Sequence, residues 1–433
     1  MLRKIGICIW IFLSSFSALS LDLSGSVAVR DVNYPLPTNG PVNSNLTQSE
    51  IHLIGEHEFS PDSQFKAHFI GVFDPSNNST NEQWYADAPE FLWIRKSSNW
   101  ILKVGTDVIS WGVTDGDNPL DIVNSKVYFD PIHAQKIGAG SVQLNFSGDE
   151  NQLDLIFIPW ARSAILPGGN SRWLPRQIYT GQSGGQPYLL ILPNSFSYSS
   201  TTIGAQSQAD QNNWGARWQF HHDNWELATY FFDGLAPFPL ITPSVSGTEV
   251  SFFPVQVFQI NSAVNLQLQD YRQQVTGVSF VKSQNSWQFK GESAYTNPLG
   301  NAYTLKGAVL ESVLAIEKNW NVGESRNLIT ILQYAYAQHS LSGSNDISSF
   351  SRFFDNNWMG IVRGTYRDTE TFTAFYSSDQ LSFAWFADLS YEHKWNDSLK
   401  TKIEVMVIDG PLSSPIGAFA ANKSGAASLE YSF

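Results

Sequence analysis

Over most of its length the chain alternates apolar and polar residues in segments of about ten, the period of a strand with one dry and one wet face. In Gln64–Phe73, the side chains of Phe65, Ala67, Phe69, Gly71 and Phe73 share one face, and Lys66 and His68 the other. His52–Phe59 precedes it across Ser60-Pro61-Asp62-Ser63. The same unit recurs in 137–146 with 152–161, 214–220 with 225–232, and 271–281 with 287–295. It returns in 358–366 with 371–376 and in 383–393 with 399–408. Each short connection draws on Asn, Asp, Ser or Gly, the residues that close tight turns. Longer polar stretches separate the hairpins at 33–47, 74–89, 107–136, 162–213, 233–270, 296–304, 338–356 and 411–423.

Alternating short and long connections predict an all-β chain, a transmembrane antiparallel up-and-down β-barrel. About 18 strands are expected, with about 16 as the other count, running from Leu21–Val32 to Lys423–Phe433. An even number puts both termini at the short-turn end. The strand 271–281 is expected to extend back over 255–269. A one-residue slip of register would reverse every face, so lumen assignments depend on register.

The first 20 residues stand apart. Arg3 and Lys4 precede an apolar run from Ile5 to Phe16, and Ala18-Leu19-Ser20 supplies small residues at the end. This predicts a signal peptide over 1–20, cleaved before Leu21, with the barrel domain over 21–433. The run is too short to span a bilayer. The only cysteine, Cys8, leaves with it, which removes disulfides and thiol chemistry from the mature chain. The mature chain keeps 24 basic against 39 acidic residues, a net charge of −15. Such a balance disfavours a nucleic-acid partner. No later run of about 18 apolar residues offers a transmembrane helix.

Aromatic residues make up 14% of the chain, with 15 Trp. Trp100, Trp214, Trp225, Trp287, Trp358 and Trp395 lie near proposed short turns, where an indole can sit at the headgroup layer. A carbohydrate-binding β-sandwich would also be aromatic-rich, and it would partition into the aqueous fraction.

The last strand reads Gly425-Ala426-Ala427-Ser428-Leu429-Glu430-Tyr431-Ser432-Phe433, with Leu429, Tyr431 and Phe433 on one face. It resembles the C-terminal assembly signal of Gram-negative outer-membrane barrels. The resemblance implies insertion by the barrel-assembly machinery into outer-membrane lipid and lipopolysaccharide. A second stretch runs from Val104 to Trp111-Gly112 and on to Asp115-Gly116-Asp117-Asn118-Pro119-Leu120-Asp121. Later come Phe157-Ile158-Pro159-Trp160-Ala161-Arg162, Leu166-Pro167 and Ser171-Arg172-Trp173-Leu174-Pro175. Over about a quarter of the chain this arrangement is similar to a family of porin-like outer-membrane proteins. It implies fold and location, not substrate; a monomer or a homotrimer is expected as the assembly.

Several residues are candidates for chemistry. Asp115, Asp117 and Asp121 form an oxygen-rich loop that could hold calcium, although the full ligand spacing is missing. An Asx-stabilised turn is the competing reading. Arg162, Arg172 and Arg176 lie among Trp160, Trp173, Tyr179 and Tyr188 in a long connection. That connection either folds inward to narrow a pore and bind anionic solutes, or forms an extracellular cap. Inward-facing charges are expected at Lys66, His68, Lys103, Arg217, Lys290, Arg363, Arg367 and Lys402. Opposing them are Glu226, Glu292, Glu311, Asp388, Glu392 and Glu404. Opposed charges at a constriction would select ions.

No local motif pairs a nucleophile with His52, His57, His221, His222, His339 or His393, so no enzyme and no cofactor are expected. The first strand is expected to open the mature chain, leaving no room for a plug domain. The reading is a channel for small hydrophilic solutes. The competing reading is a non-conducting receptor, adhesin or lipid-handling barrel.

Overall fold

The computed structural model describes residues 22–38, 42–174, 179–183, 186–191, 196–200, 209–244, 246–251, 256–260, 264–299, 308–323, 325–339, 354–412 and 414–433. The signal peptide expected over 1–20, and its expected cleavage point, lie outside the described residues.

Eighteen antiparallel strands form one sheet that closes on itself. In chain order they are β1 (Asp22–Asn33), β2 (Asn45–Ser60), β3 (Ser63–Phe73), β4 (Trp84–Lys96), β5 (Trp100–Asp107) and β6 (Ala139–Ser147). Next come β7 (Asn151–Trp160), β8 (Gln211–His222), β9 (Trp225–Leu235), β10 (Arg272–Gln284), β11 (Trp287–Leu299) and β12 (Val309–Asn321). The last are β13 (Arg326–His339), β14 (Asn356–Tyr366), β15 (Glu370–Asp379), β16 (Trp385–Lys394), β17 (Leu399–Asp409) and β18 (Ser424–Ser432). Each strand pairs with the next, and β1 pairs with both β2 and β18. At the seam the Gly25 N–H donates to the Phe433 carbonyl at 3.0 Å, and the Phe433 N–H returns the bond to Gly25 at 3.0 Å. Closure leaves no open edge, the condition for a sheet to cross a bilayer.

Short turns gather at one end of the barrel and long connections at the other. The short turns use residues that tolerate positive φ. Asp223 (φ 51°) opens the two-residue turn between β8 and β9, and Asn285 (φ 56°) the one between β10 and β11. Such turns match the twist of the strands they join.

The faces are inverted relative to a soluble protein. Val27, Phe91, Leu155, Val278, Leu314, Leu332 and Ile403 point outward and are exposed. Gln333, Asn357, Ser377, Glu292 and Asp154 are buried inside. In water the outer face would be a large apolar patch, whereas in lipid it is solvated. Leu429, Tyr431 and Phe433 belong to it, each about half exposed. Deleting Phe433 removes both seam bonds to Gly25 and an outward ring. The heat-modifiable folded fraction in membranes should fall several-fold, while Ser432→Ala should match wild type. Equal folding of the two variants would reject a role for the terminal aromatic.

Indoles mark both rims. Trp225, Trp287, Trp320 and Trp395 lie at the short-turn end; Trp84 and Trp160 lie at the other. Trp214 and Trp358 also belong to the long-loop rim, which corrects their placement beside short turns. Because β8 and β9 run antiparallel, Trp214 pairs with Asp233, eight residues from Trp225. That is about 27 Å along a strand at about 3.4 Å per residue. At a tilt of about 40° it is about 21 Å along the normal, close to the apolar band of such barrels.

The long connections build further structure. Segments Tyr179–Ser183, Gln186–Ile191, Gln256–Ile260 and Gly247–Ser251 form a four-stranded sheet. Phe196–Ser200, Val264–Gln269 and Leu240–Ser244 form a three-stranded one. Residues 256–260 and 264–269 therefore do not extend β10, as the sequence pattern suggests; they pair in these side sheets. Ile241, Ile260, Val264 and Leu266 pack with Tyr128, Trp173, Phe238 and Phe419 into one apolar cluster. It also includes Phe386, Met406 and Ile408 from the barrel wall.

Candidate functional site: a lumen crossed by a loop

The connection from β5 to β6, residues 108–138, folds into the barrel. Its neck is held by Asn124, only 1% exposed. The Asn124 side chain donates to the carbonyls of Asp107 (3.2 Å) and Ile137 (2.7 Å) and accepts from the Ile109 N–H (2.8 Å). One buried amide thus satisfies three backbone groups at the mouth of the loop. Further in, Gly112 turns the chain at φ +86°, and a Cβ there would lie 2.1 Å from Asn118 Oδ1. Asn118 donates to the Trp111 carbonyl (2.9 Å) and accepts from the Leu120 N–H (3.1 Å). The Trp-Gly and Asn-Pro residues noted in the sequence therefore make one compact apex. Trp111 packs its ring on Tyr230 of β9, with centroids 5.8 Å apart.

The tip reaches another stretch of wall. Glu292 of β11 accepts from the N–H groups of Val113 (2.9 Å) and Thr114 (2.6 Å), and from the Thr114 hydroxyl. Gln333 of β13 accepts from the Gly116 N–H (3.3 Å) and donates to the Asp117 carbonyl (3.0 Å). Lys290 joins Asp115 (3.0 Å) to Glu317 (2.7 Å). Burial, then the charges of Glu311 and Asp355, push the Asp117 carboxyl up to about 8. The three acidic side chains of the apex do not converge on a calcium site. Asp115 pairs with Lys290, while Asp121 pairs with Lys126 (3.4 Å) and Lys136 (2.5 Å). Among the described residues no three acidic, His or Cys groups are grouped to hold a metal.

The loop leaves space on both sides. A cavity of about 430 Å³ lies between it and the wall around β17, β18, β1 and β2, lined by Arg30, Glu50, Tyr85, His133, Lys402 and Glu404 among others. A second, of about 290 Å³, lies beside Lys103, Gln143, Asp154 and Arg217. In the larger cavity Glu404 accepts from Arg30 (3.0 Å) and Lys402 (2.7 Å). His133, on the loop, is clamped between Asp130 (2.9 Å) and Asp388 of β16 (2.7 Å). Burial opposes the imidazolium, but Asp130 and then Asp388 outweigh it and raise His133 to about 10.

This clamp has a pH signature. A His raised above its free value near 6.5 contributes its full stabilisation below that value and loses it as pH rises through the folded pKa. The loop contact should therefore weaken between about pH 7 and pH 10. Conductance fluctuations recorded over that range should grow, and His133→Asn should flatten the dependence. A wild-type trace insensitive to pH over this window would remove His133 from loop anchoring.

The other expected site residues are placed as follows. Arg162 pairs with Asp87 at 2.7 Å, near the long-loop rim. Arg172, 5% exposed, donates to the carbonyls of Leu36 (3.0 Å), Ala421 (3.2 Å) and Asn43 (3.4 Å) and lies over the Tyr34 ring. It ties together three long connections. Arg176 lies outside the described residues, as do the side chains of Tyr179 and Tyr188. Arg217 faces inward and is ion-paired to Asp154. Arg363, Glu311, Asp388 and Glu404 share the lumen faces of their strands with buried Ile361, Val313, Phe386 and Met406 respectively. Arg367 is a correction: it sits in the short turn after β14 at φ 52° and stacks on Tyr366. Sequence reading missed Arg30, Asn124, His133 and Gln333. Arg30 and Gln333 occupy the polar phase of their strands and were accessible to it; the loop residues carry no such periodicity.

No family model matches the chain, and no curated protein matches it. Among solved structures, Acinetobacter baumannii OccAB4 aligns over 95% of this chain and 98% of that one, with 8% identity and a TM-score of 0.50. Pseudomonas aeruginosa OccK5 (OpdH) aligns over 95% and 98% with 10% identity and a TM-score of 0.49. Pseudomonas aeruginosa OccK8 (OprE) aligns over 96% and 98% with 11% identity and a TM-score of 0.48. The likeness to OccAB4 is one of fold, and the chain has the closed barrel of a porin-like outer-membrane protein.

Proposed function

We propose that this chain is an outer-membrane channel through which small hydrophilic solutes diffuse passively. Its polar lumen is narrowed by the inward loop 108–138. The observation that carries this reading is the charged cavity of about 430 Å³ left between that loop and the barrel wall. Water and solutes require such a polar path, and a barrel that served only as a scaffold would not. Arg30, Lys402 and Glu404, with Asp388 and His133, flank the proposed path. Arg217, Arg363 and Glu311 line further wall, and Arg162 and Arg172 brace its mouth. The signal peptide 1–20 directs export, and the terminal strand engages the barrel-assembly machinery. The short turns then face the periplasm. Lipopolysaccharide contacts the opposite rim, and homotrimers are one assembly available to the outer face. No catalytic step is assigned to any residue.

One observation favours a second reading, a closed barrel acting as a receptor or platform. Wall residues Phe386, Met406 and Ile408 are buried against loop residues Tyr128 and Trp173 rather than wet. Single-channel recording of the refolded mature chain in a planar bilayer separates the two. Discrete steps that scale with salt are expected of the channel. Silence from protein shown to be folded and inserted would favour the closed barrel.

A further inference from the structure

On the outer face, near the short-turn end, one cross-strand row reads Leu328, Gly364, Phe372 and Tyr391 on β13 to β16. Three large side chains flank a glycine, and the gap opens a groove of about 390 Å³ along the barrel surface. Toward the rim the next outward residue of β14 is Tyr366. The guanidinium carbon of Arg326 lies 5.0 Å from its ring centroid and that of Arg367 lies 4.9 Å from it. The two cations are therefore within about 10 Å of each other. Among the described residues neither is ion-paired. The carboxylate in the groove wall, Glu370, is directed to His393 at 4.0 Å.

We propose that this groove binds one phospholipid, with an acyl chain lying over Gly364 and the phosphate bridging Arg326 and Arg367. Two guanidiniums held against one ring repel each other, and an anion between them relieves that. Guanidinium matches phosphate oxygens in bidentate geometry and stacks on aromatic faces, as both arginines do here. Tyr366 holds them at the height where headgroups lie, and the apolar trough runs from there into the hydrocarbon layer. The assignment to phospholipid rests on reading the short turns as periplasmic, because that leaflet of an outer membrane is built from phospholipid.

The full barrel would be extracted from outer membranes in mild detergent and weighed by native mass spectrometry. Wild type should retain one phospholipid per chain. Gly364→Leu fills the groove without strain, since a Cβ there meets only Leu328 Cδ1 at 3.6 Å and Asn327 O at 3.9 Å. It should cut retention at least ten-fold, as should Arg326→Gln combined with Arg367→Gln. Adding phosphatidylethanolamine back to delipidated wild type should restore the adduct, and adding it to the variants should not. Retention unchanged in either variant would overturn the proposal, as would an adduct of lipopolysaccharide mass. Fractionation of the wild type with outer membranes tests the location separately, so failure of that reading would be seen before any lipid is weighed.

Discussion

Replacing residues 112–122 with a short Gly-Ser bridge is expected to raise single-channel conductance several-fold while the barrel stays folded. The deleted segment carries the apex and the tip, with the contacts to Glu292, Gln333 and Lys290. It reaches from the neck of the loop to β11 and β13, so removing it opens the part of the lumen that it crosses. The barrel should survive, because its backbone bonds run strand to strand and close without the loop. The neck is also kept: Asn124 still bonds Asp107 and Ile137. The cost falls on lumen residues Phe232, Val275 and Ala294, which lose apolar cover at about 25 cal/mol per Å². Glu292→Ala should give a smaller effect of the same sign. It strips the acceptor from the Val113 and Thr114 N–H groups, each costing about 1–3 kcal/mol if left dry, and the freed tip should appear as open-channel noise. Unchanged conductance in the deletion would place the narrowest point elsewhere in the lumen.

The barrel was legible in the sequence because its rule is local. A strand in a membrane wall alternates with period two, and a short turn needs Asn or Asp where φ is positive, as at Asp223 and Asn285. Strand number, antiparallel order and the apolar terminal face follow from that, and all three agree with the structure. The loop that crosses the lumen is legible only in part. Gly112 and Asn118 stand out as a pair once a resemblance is noticed, but nothing local says that Asn124 closes the neck. Nor does local pattern show that Gln333, more than two hundred residues away, receives the tip. Those are contacts of complementarity across a closed barrel. Arg172 shows the same limit from the other side. An arginine among aromatics in a long connection reads as a solute ligand, whereas here three backbone carbonyls occupy its guanidinium. Arg367 illustrates register: extending the alternation of β14 by a residue carries it inward, but the strand stops at Tyr366.

Gly277→Val should dislodge the inward loop, and Leu120→Ala should suppress that defect. Gly277 faces the lumen from β10, where a Cβ would lie 2.2 Å from Leu120 Cδ2 and 2.9 Å from the Ser293 carbonyl. Leu120 is fully buried, so it has little room to swing away. Overpacking of this kind costs about 1–3 kcal/mol or displaces the smaller element. The smaller element is the loop, because β10 is paired with neighbours on both sides from Arg272 to Lys282, across Gly277. Leu120→Ala alone leaves a cavity and costs about 2–5 kcal/mol, as large-to-small core changes do. Combined, the new valine occupies part of that cavity, so the two defects should compensate by at least about 1 kcal/mol in a double-mutant cycle. The contact with Ser293 is present in both valine backgrounds and cancels in the cycle. Protease cleavage near 113–118 and open-channel noise should both rise in Gly277→Val and fall again in the double variant. Strictly additive behaviour would mean that Leu120 is not packed on Gly277 in the membrane, and the loop would then have to enter the lumen by another path.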